Sequence, residues 1–340
     1  MGASNIIFSI FSLLGFVLIA PQALCRYESW NTGSVLYIGW TSVMCITLGI
    51  NAIIWNGNYT DWSPIWCDIS SRIIIAGLVG IPASTLCINR RLYQILSLQY
   101  RRRPALNVVC DLCIGLGLPA LVIVLYYTVQ EYRYLLVEDI GCWYATVDWT
   151  LVVPLNILWA PMTTIASLSY SCLAIREARF RKAELEFVLS SESRSLCSRR
   201  LTRLILLSII QDVYQLLLTI ICFLSAIPQF DHTPWPGWDA AHENVTQVYT
   251  YNASAWQELC WDAVALYSAQ WLWVFHAFAF VILVGSAREA YRSYALPFTV
   301  ALRRLGLAPP ERPPVTPTIA ITMDKFPKGQ KMYVWCTFLF

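Results

Sequence analysis

Few side chains in this chain of 340 residues could take part in catalysis. The three His residues, His232, His242 and His276, are scattered, and the His-Glu-x-x-His helix of a metal-assisted hydrolase is absent. Every Lys lies outside the apolar runs of the chain, which excludes a retinal Schiff base inside a helix bundle. These patterns predict a protein that is not an enzyme and that needs no metal or other cofactor.

Two charged residues lie well inside apolar runs and are candidates for a functional role. They are Arg72 and Asp212, whereas Asp111 lies near the end of its run and is expected to be solvated. A charge in hydrocarbon is costly unless it faces protein or water, so each of the two predicts a site inside the protein. Such charges would also suit a membrane transporter of a small solute, which stays open as an alternative function.

The apolar runs that carry these residues predict helices that span a membrane. The chain is 57% hydrophobic and 13% charged, with a mean hydropathy of +0.52, which excludes an ordinary soluble domain. A helix needs about 20 apolar residues to cross the hydrocarbon, about twice the length of a barrel strand. We predict an all-α membrane protein, a seven-transmembrane helix bundle, with spans at about 4–24, 33–55, 67–89, 108–130, 151–175, 204–227 and 263–286.

The basic residues predict the orientation of this bundle. All but two of the 24 Lys and Arg residues fall in alternate connecting segments and in the C-terminal tail; the exceptions are Arg72 and Arg133. Basic residues are retained on the cytoplasmic side, so the N-terminus is predicted outside and the C-terminus in the cytoplasm. The basic inner face suits membrane lipid and acidic protein surfaces, and no nucleic acid partner is predicted.

Two further features follow from this orientation. Of the 12 Cys residues, Cys67, Cys142 and Cys260 fall at the oxidising outer face, and a Cys67–Cys142 disulfide is favoured over two free thiols. The glycosylation sequons all fall in outer loops, at Asn58, Asn244 and Asn252.

The connecting segments differ in kind. The third inner loop is predicted to extend the fifth and sixth spans as helices. The Trp-rich outer insertion, residues 228–262, is either an interfacial segment or a cap over the bundle. Residues 1–294 are predicted to form the membrane domain, and residues 295–340 a short, disordered cytoplasmic tail.

Several strings resemble one family. They are IWCDISSRIIIAGLVGIPASTLCINRRLYQI in the third span, DLCIGLGLPALVI in the fourth, QEYRYLLVEDIGCWY beyond it, RLTRLILLS opening the sixth, and PWPGWDAAHENVTQV in the third outer loop. In order and spacing, residues 5–294 resemble the fungal receptors for lipid-modified mating pheromones, the a-factor type of class D G protein-coupled receptor. The sixth span departs from the expected pattern because it has no central Pro.

The resemblance implies a plasma-membrane receptor that binds a farnesylated peptide pheromone outside and a heterotrimeric G protein inside. Aromatic and charged outer residues could line the pheromone site, although each Trp could equally belong to the membrane-interface belt: Trp62, Trp66, Arg72, Arg133, Glu138, Asp139, Trp143, Tyr144, Trp238 and His242. Basic inner residues could face the G protein or simply anchor the topology: Arg90, Arg91, Arg101, Arg102, Arg103, Arg199, Arg200 and Arg203.

Overall fold

The computed structural model of the chain describes residues 3–23, 32–97, 104–145, 151–180, 191–226, 235, 237–258 and 260–284. Long helices dominate these residues. They are α1 (Ala3–Ile19), α2 (Thr32–Ile54), α3 (Pro64–Leu96), α4 (Pro104–Leu112), α5 (Leu118–Tyr127), α6 (Trp159–Phe180), α7 (Ser191–Ala226) and α10 (Cys260–Leu283). The π-helical turn Cys113–Gly117 joins α4 to α5, and a second π-helical turn, Val153–Ile157, precedes α6.

The long helices form a closed ring. Helix α1 packs against α2 and α10, α10 against α7, α7 against α6, and α6 against α3, which returns to α2. The α4–α5 segment lies outside this ring and packs mainly against α3. Helix α3 therefore has neighbours on most of its surface, and a side chain on α3 can reach several other helices.

Each of the seven predicted spans coincides with a helical segment, but not all of them meet the requirements for a membrane span. Five segments are long and apolar enough: Thr32–Ile54, Pro64–Leu96, Ala105–Tyr127, Thr202–Cys222 and Ala263–Leu283. The apolar part of α1 is shorter, Asn5–Ile19, and α6 carries Arg176, Glu177 and Arg179 near its end. The number of crossings and the orientation of the termini stay predictions.

The outward faces of the helices support a lipid environment. Large apolar side chains are exposed along α1 and along the α4–α5 segment: Ile6, Ile7, Ile10, Phe11, Leu14, Val17, Leu106, Val109, Leu112, Leu116, Leu121 and Val124. A soluble protein would bury such continuous apolar stripes. The helical extensions predicted for the third inner loop are also present, because α6 continues to Phe180 and α7 begins at Ser191.

The prediction of an all-α fold was wrong for the outer loops, which form a three-stranded sheet. Strand β1 (Tyr134–Val137) pairs antiparallel with β2 (Gly141–Trp143) and parallel with β3 (Val248–Tyr251). Short helices flank β3: α8 (Trp238–Ala241) and α9 (Ala253–Glu258). Part of the Trp-rich insertion is thereby tied to the second outer loop, as the capping alternative requires. The predicted tail, residues 295–340, lies outside the described residues.

Candidate functional site

The disulfide between Cys67 and Cys142 fastens the β1–β2 hairpin to the helix bundle. Cys67 lies in the first turn of α3 and Cys142 lies in β2, and their Cα atoms are 5.1 Å apart. Asn51 of α2 supports the junction, because its Nδ2 donates to Ser70 Oγ at 2.8 Å and to the Cys142 carbonyl at 3.2 Å. Trp66 Nε1 donates to Asn51 Oδ1 at 2.7 Å. The predicted pairing is confirmed, and Trp66 helps to hold it.

Arg72 lies beneath the hairpin with part of its hydrogen-bonding capacity unused. Its Nη2 donates to Gln130 Oε1 at 2.6 Å, and its guanidinium carbon lies 5.3 Å from the centre of the Tyr126 ring. Its Nη1 is buried and has no hydrogen-bond partner among the described residues. A buried donor without a partner is costly, so Arg72 can offer an N–H group to a ligand oxygen at little further desolvation cost.

One aromatic ring, Tyr126, lies against this guanidinium, and two further rings continue from it. Tyr126 meets Tyr144 edge to face with ring centres 6.1 Å apart, and Tyr144 stacks on Trp143 at 5.8 Å. The Tyr126 hydroxyl donates to the Ala145 carbonyl, which fixes the ring against the segment after β2. We call Arg72, Gln130, Tyr126, Trp143 and Tyr144 the Arg72 cluster. It combines a cation, a free N–H donor and apolar ring surface, which suits an apolar ligand that carries carbonyl groups.

Arg133, the other basic residue predicted at the outer face, is ion-paired with Asp68. Its Nε donates to Asp68 Oδ1 at 2.9 Å and its Nη2 to Asp68 Oδ2 at 2.5 Å, and its guanidinium lies 5.6 Å from the centre of the Tyr134 ring. The hydrogen bond with Asp68 raises the pKa of Arg133 above its ordinary value. Burial, followed by the hydrogen bond to Asp61, raises the pKa of Tyr134. These contacts hold β1 against the start of α3.

Glu138 and Asp139 also hold the outer loops together. Glu138 Oε2 accepts a hydrogen bond from the Ala253 amide at 2.7 Å, at the start of α9. Asp139 Oδ1 accepts one from the Gly57 amide at 2.9 Å, and its backbone has φ 70° in the β1–β2 turn. An Asp tolerates this left-handed conformation better than most residues. Both carboxylates are therefore committed to neighbouring loops.

Three predicted ligand residues lie apart from the Arg72 cluster. Trp238 stacks on His242 with ring centres 4.1 Å apart, and both pack against Tyr127 at the end of α5. The ring nitrogens of His242 lie 2.8 Å from the Trp238 carbonyl and 2.9 Å from the Tyr127 carbonyl. Trp62 is 71% exposed in the α2–α3 loop. These positions fit the alternative of an interfacial aromatic belt.

At the inner end, Arg90 and Arg91 are largely buried. Arg90 Nη2 forms a 2.7 Å ion pair with Asp111 Oδ1 and donates to the Asn107 carbonyl at 3.1 Å. The Asp111 side chain is 2% exposed, so the expectation that Asp111 is solvated was wrong. Helix α3 extends past the predicted end of the third span, and its Arg90 provides the counter-charge. Arg91 is 4% exposed.

The other predicted inner residues are only partly described. Arg203 is exposed on α7. Arg199 and Arg200 lie in the same helix, with side chains outside the described part, and Arg101, Arg102 and Arg103 lie outside the described residues altogether. The G protein role of all these residues stays a prediction.

Sequence reasoning missed Gln130, Tyr126 and Asp68, which complete the surroundings of the two outer arginines. Gln130 is nevertheless the first residue of the string QEYRYLLVEDIGCWY on which the resemblance rested. The three sequon residues lie in the predicted outer loops; Asn252 is exposed, and Asn58 and Asn244 are half-buried.

Comparison with known proteins identifies the family of this chain. Residues 7–303 match the pheromone A receptor family. The chain is 32% identical to the pheromone B alpha 3 receptor of Schizophyllum commune over 316 residues, which cover 92% of this chain and 50% of that protein. It is 28% identical to pheromone receptor 1 of Mycosarcoma maydis over 251 residues, 72% of this chain and 70% of that protein.

A third relative links the chain to the receptor type that its sequence resembles. This chain is 21% identical to the pheromone a factor receptor of Saccharomyces cerevisiae over 291 residues, which cover 83% of this chain and 59% of that protein. The chain thus spans about half the length of several relatives that it matches. These matches agree with the prediction that it is not an enzyme, and they do not favour the transporter alternative. The chain belongs to the pheromone A receptor family.

Proposed function

We propose that this protein is a plasma-membrane G protein-coupled receptor for a farnesylated peptide mating pheromone. Its membership of the pheromone A receptor family over residues 7–303 carries the proposal. The Saccharomyces cerevisiae relative is named as a receptor for the pheromone a factor, and the resemblance of this sequence to receptors for lipid-modified pheromones implies a prenylated peptide as the ligand. The exposed apolar stripes on the helices support a location in a lipid bilayer.

The Arg72 cluster is the proposed contact for the modified end of the pheromone. The half-buried ring of Tyr144, backed by the buried rings of Tyr126 and Trp143, offers apolar surface to the prenyl chain, and Arg72 Nη1 offers a hydrogen bond to a peptide or ester carbonyl. Arg133 acts as a positioning residue, because Asp68 already binds two of its nitrogens. Glu138 and Asp139 likewise position the hairpin over the bundle.

The inner basic residues are the proposed surface for the heterotrimeric G protein. Arg203 is exposed on α7, in the same helix as Arg199 and Arg200. Arg90 and Arg91 are mostly buried, so their proposed role is to hold the inner ends of the helices in place. A pheromone can shift this end of the bundle only by binding one arrangement more tightly than another.

The test is a pheromone-response reporter in cells that express the receptor with a matching G protein. Cells would receive a panel of farnesylated peptides, with unprenylated peptides as controls. We expect a response to farnesylated peptides alone. Arg72→Gln should raise the half-maximal pheromone concentration about tenfold, since a hydrogen bond to a charged group contributes about 1.5 kcal/mol. The matched variant Arg133→Gln should have a smaller effect at equal surface expression.

Two results would contradict the proposal. A normally expressed receptor that responds to no peptide in a panel covering compatible mating partners would rule out the function. Equal responses to prenylated and unprenylated peptides would instead reject the prenyl-binding role of the Arg72 cluster.

A further inference from the structure

Asp212 is a carboxylate buried in the helix bundle, and it has no ion-pair partner among the described residues. It lies on α7 and is 1% exposed. It accepts a hydrogen bond from Ser167 Oγ of α6 at 2.9 Å. Because an isolated buried carboxylate is very costly, Asp212 must bind either a proton or a cation.

Neutral oxygens from two neighbouring helices accompany this carboxylate. Asn89 of α3 donates through its Nδ2 to Ser167 Oγ at 2.8 Å, so the Asn89 amide adjoins the Ser167–Asp212 pair. Asn89 is 0% exposed, and its Oδ1 has no hydrogen-bond partner among the described residues. Ser171, one turn along α6 from Ser167, is 1% exposed, and its Oγ also lacks a partner in the described part of the chain.

We propose that Asp212, Asn89, Ser167 and Ser171 form a binding site for a monovalent metal cation of the sodium type. One carboxylate balances one positive charge, and the amide and hydroxyl oxygens provide the neutral ligands of a hard cation. Calcium sites collect six to eight oxygens, often from several carboxylates, and magnesium usually keeps several waters. No group of three or more His, Cys, Asp or Glu residues suited to a metal occurs among the described residues, which disfavours a transition metal.

The ligands of this site come from α3, α6 and α7, so a bound cation stabilises the arrangement in which these three helices meet. If the inner ends of these helices separate when a G protein binds, the bound cation lowers the affinity for the G protein. By linkage, the bound G protein lowers the affinity for the cation by the same factor. This consequence rests on the proposed function. The binding of the cation does not.

The test uses the full-length protein purified in lipid nanodiscs at pH 7.5. Sodium binding is measured with radioactive sodium, and thermal unfolding is followed while sodium chloride replaces N-methyl-D-glucamine chloride at constant ionic strength. We expect saturable binding of about one sodium ion per chain, because the site has one carboxylate. We also expect an unfolding temperature that rises with sodium concentration. Asp212→Asn should abolish both effects, and the matched surface variant Asp239→Asn should keep both.

A second variant covers the case in which Asp212→Asn does not fold. Ser171→Ala keeps the carboxylate and removes one neutral oxygen, so it should raise the sodium concentration for half-maximal binding about fivefold. Wild-type protein that binds no sodium, and whose stability changes with pH but not with the cation, would overturn the proposal and assign a proton to Asp212. Sodium binding that survives in Asp212→Asn would overturn it as well. Neither readout involves pheromone or G protein, so such a failure leaves the proposed function untouched.

Discussion

Replacing Asp111 by Asn should measurably weaken the inner end of the bundle. Arg90 Nη2 and Asp111 Oδ1 are 2.7 Å apart, and the two side chains are 14% and 2% exposed. Unit charges about 4 Å apart attract each other by about 4 kcal/mol at an effective dielectric constant of about 20. Desolvation of both ions offsets part of this attraction. In the Asp111→Asn variant, Arg90 Nη2 would still donate a hydrogen bond to the Asn107 carbonyl, which is 3.1 Å away, so part of its interactions would remain. We therefore expect a net coupling between Arg90 and Asp111 of about 2 kcal/mol.

A double-mutant cycle isolates this coupling. The free energy of unfolding is measured by SDS titration in mixed micelles for the wild type, Asp111→Asn, Arg90→Gln and the double variant. Each single variant should lose about 2 kcal/mol, and the double variant should lose little more than either, because the first change already removes the pair. Asp239→Asn, an exposed change of the same kind, should stay within about 0.5 kcal/mol of the wild type. Losses that add to within about 0.5 kcal/mol would refute the coupling.

Three other predictions test the predicted outer face and the helix packing. Cys67→Ser and Cys142→Ser should act alike, each losing about 4 kcal/mol of stability because the bond spans 75 residues, and a loss of surface expression in only one would contradict the pairing. Asn252→Gln should remove one glycan, which would be seen as a shift in gel mobility. Asn252 is exposed, and its hydrogen bond with the Ala255 amide uses Oδ1, so Nδ2, the atom that would carry the glycan, is not part of that bond. An unchanged mobility would mean that this sequon is unused. Gly80→Ala should lower the unfolding temperature, because a Cβ there would lie 2.5 Å from the Trp40 ring, whereas Gly39→Ala meets nothing within 4 Å and should raise it.

Hydropathy predicted the ends of a helix well where the whole helix is uncharged. The second span was predicted at 33–55 and α2 is Thr32–Ile54, an uncharged helix throughout. The sixth span was predicted to begin at 204, whereas α7 begins at Ser191. A hydropathy window ends where charged residues begin, but a helix continues into water as long as its backbone hydrogen bonds are made. The composition of the third inner loop, rich in charged residues and helix formers, predicted that the helix extends into the loop, but it did not predict the residue at which the helix begins.

The outer sheet and the Asp111 ion pair were beyond a reading of local sequence. Strands β1 and β3 join Tyr134 to Val248, and such short strands carry little periodic signal. Asp111 was judged from its position near the end of an apolar run, whereas its environment depends on Arg90, on a different helix. The candidate arginines were found because they break the charge asymmetry, but only the fold separates Arg133, which is ion-paired with Asp68, from Arg72, whose buried Nη1 has no partner among the described residues.

The contacts of α3 differ in how easily they can be exchanged, which bears on any change of shape in the proposed receptor. The outer end of α3 is bonded through Cys67 to the hairpin, and its inner end is held through Arg90 to Asp111 of α4. Between these anchors, α3 meets the facing helices through hydrogen bonds of Thr85 with Gln211 at 3.5 Å and of Asn89 with Ser167. Hydrogen bonds between helices are easier to exchange than a covalent bond or a buried ion pair. If the chain has the proposed receptor function, α7 and the inner half of α6 are therefore the elements expected to move against α3.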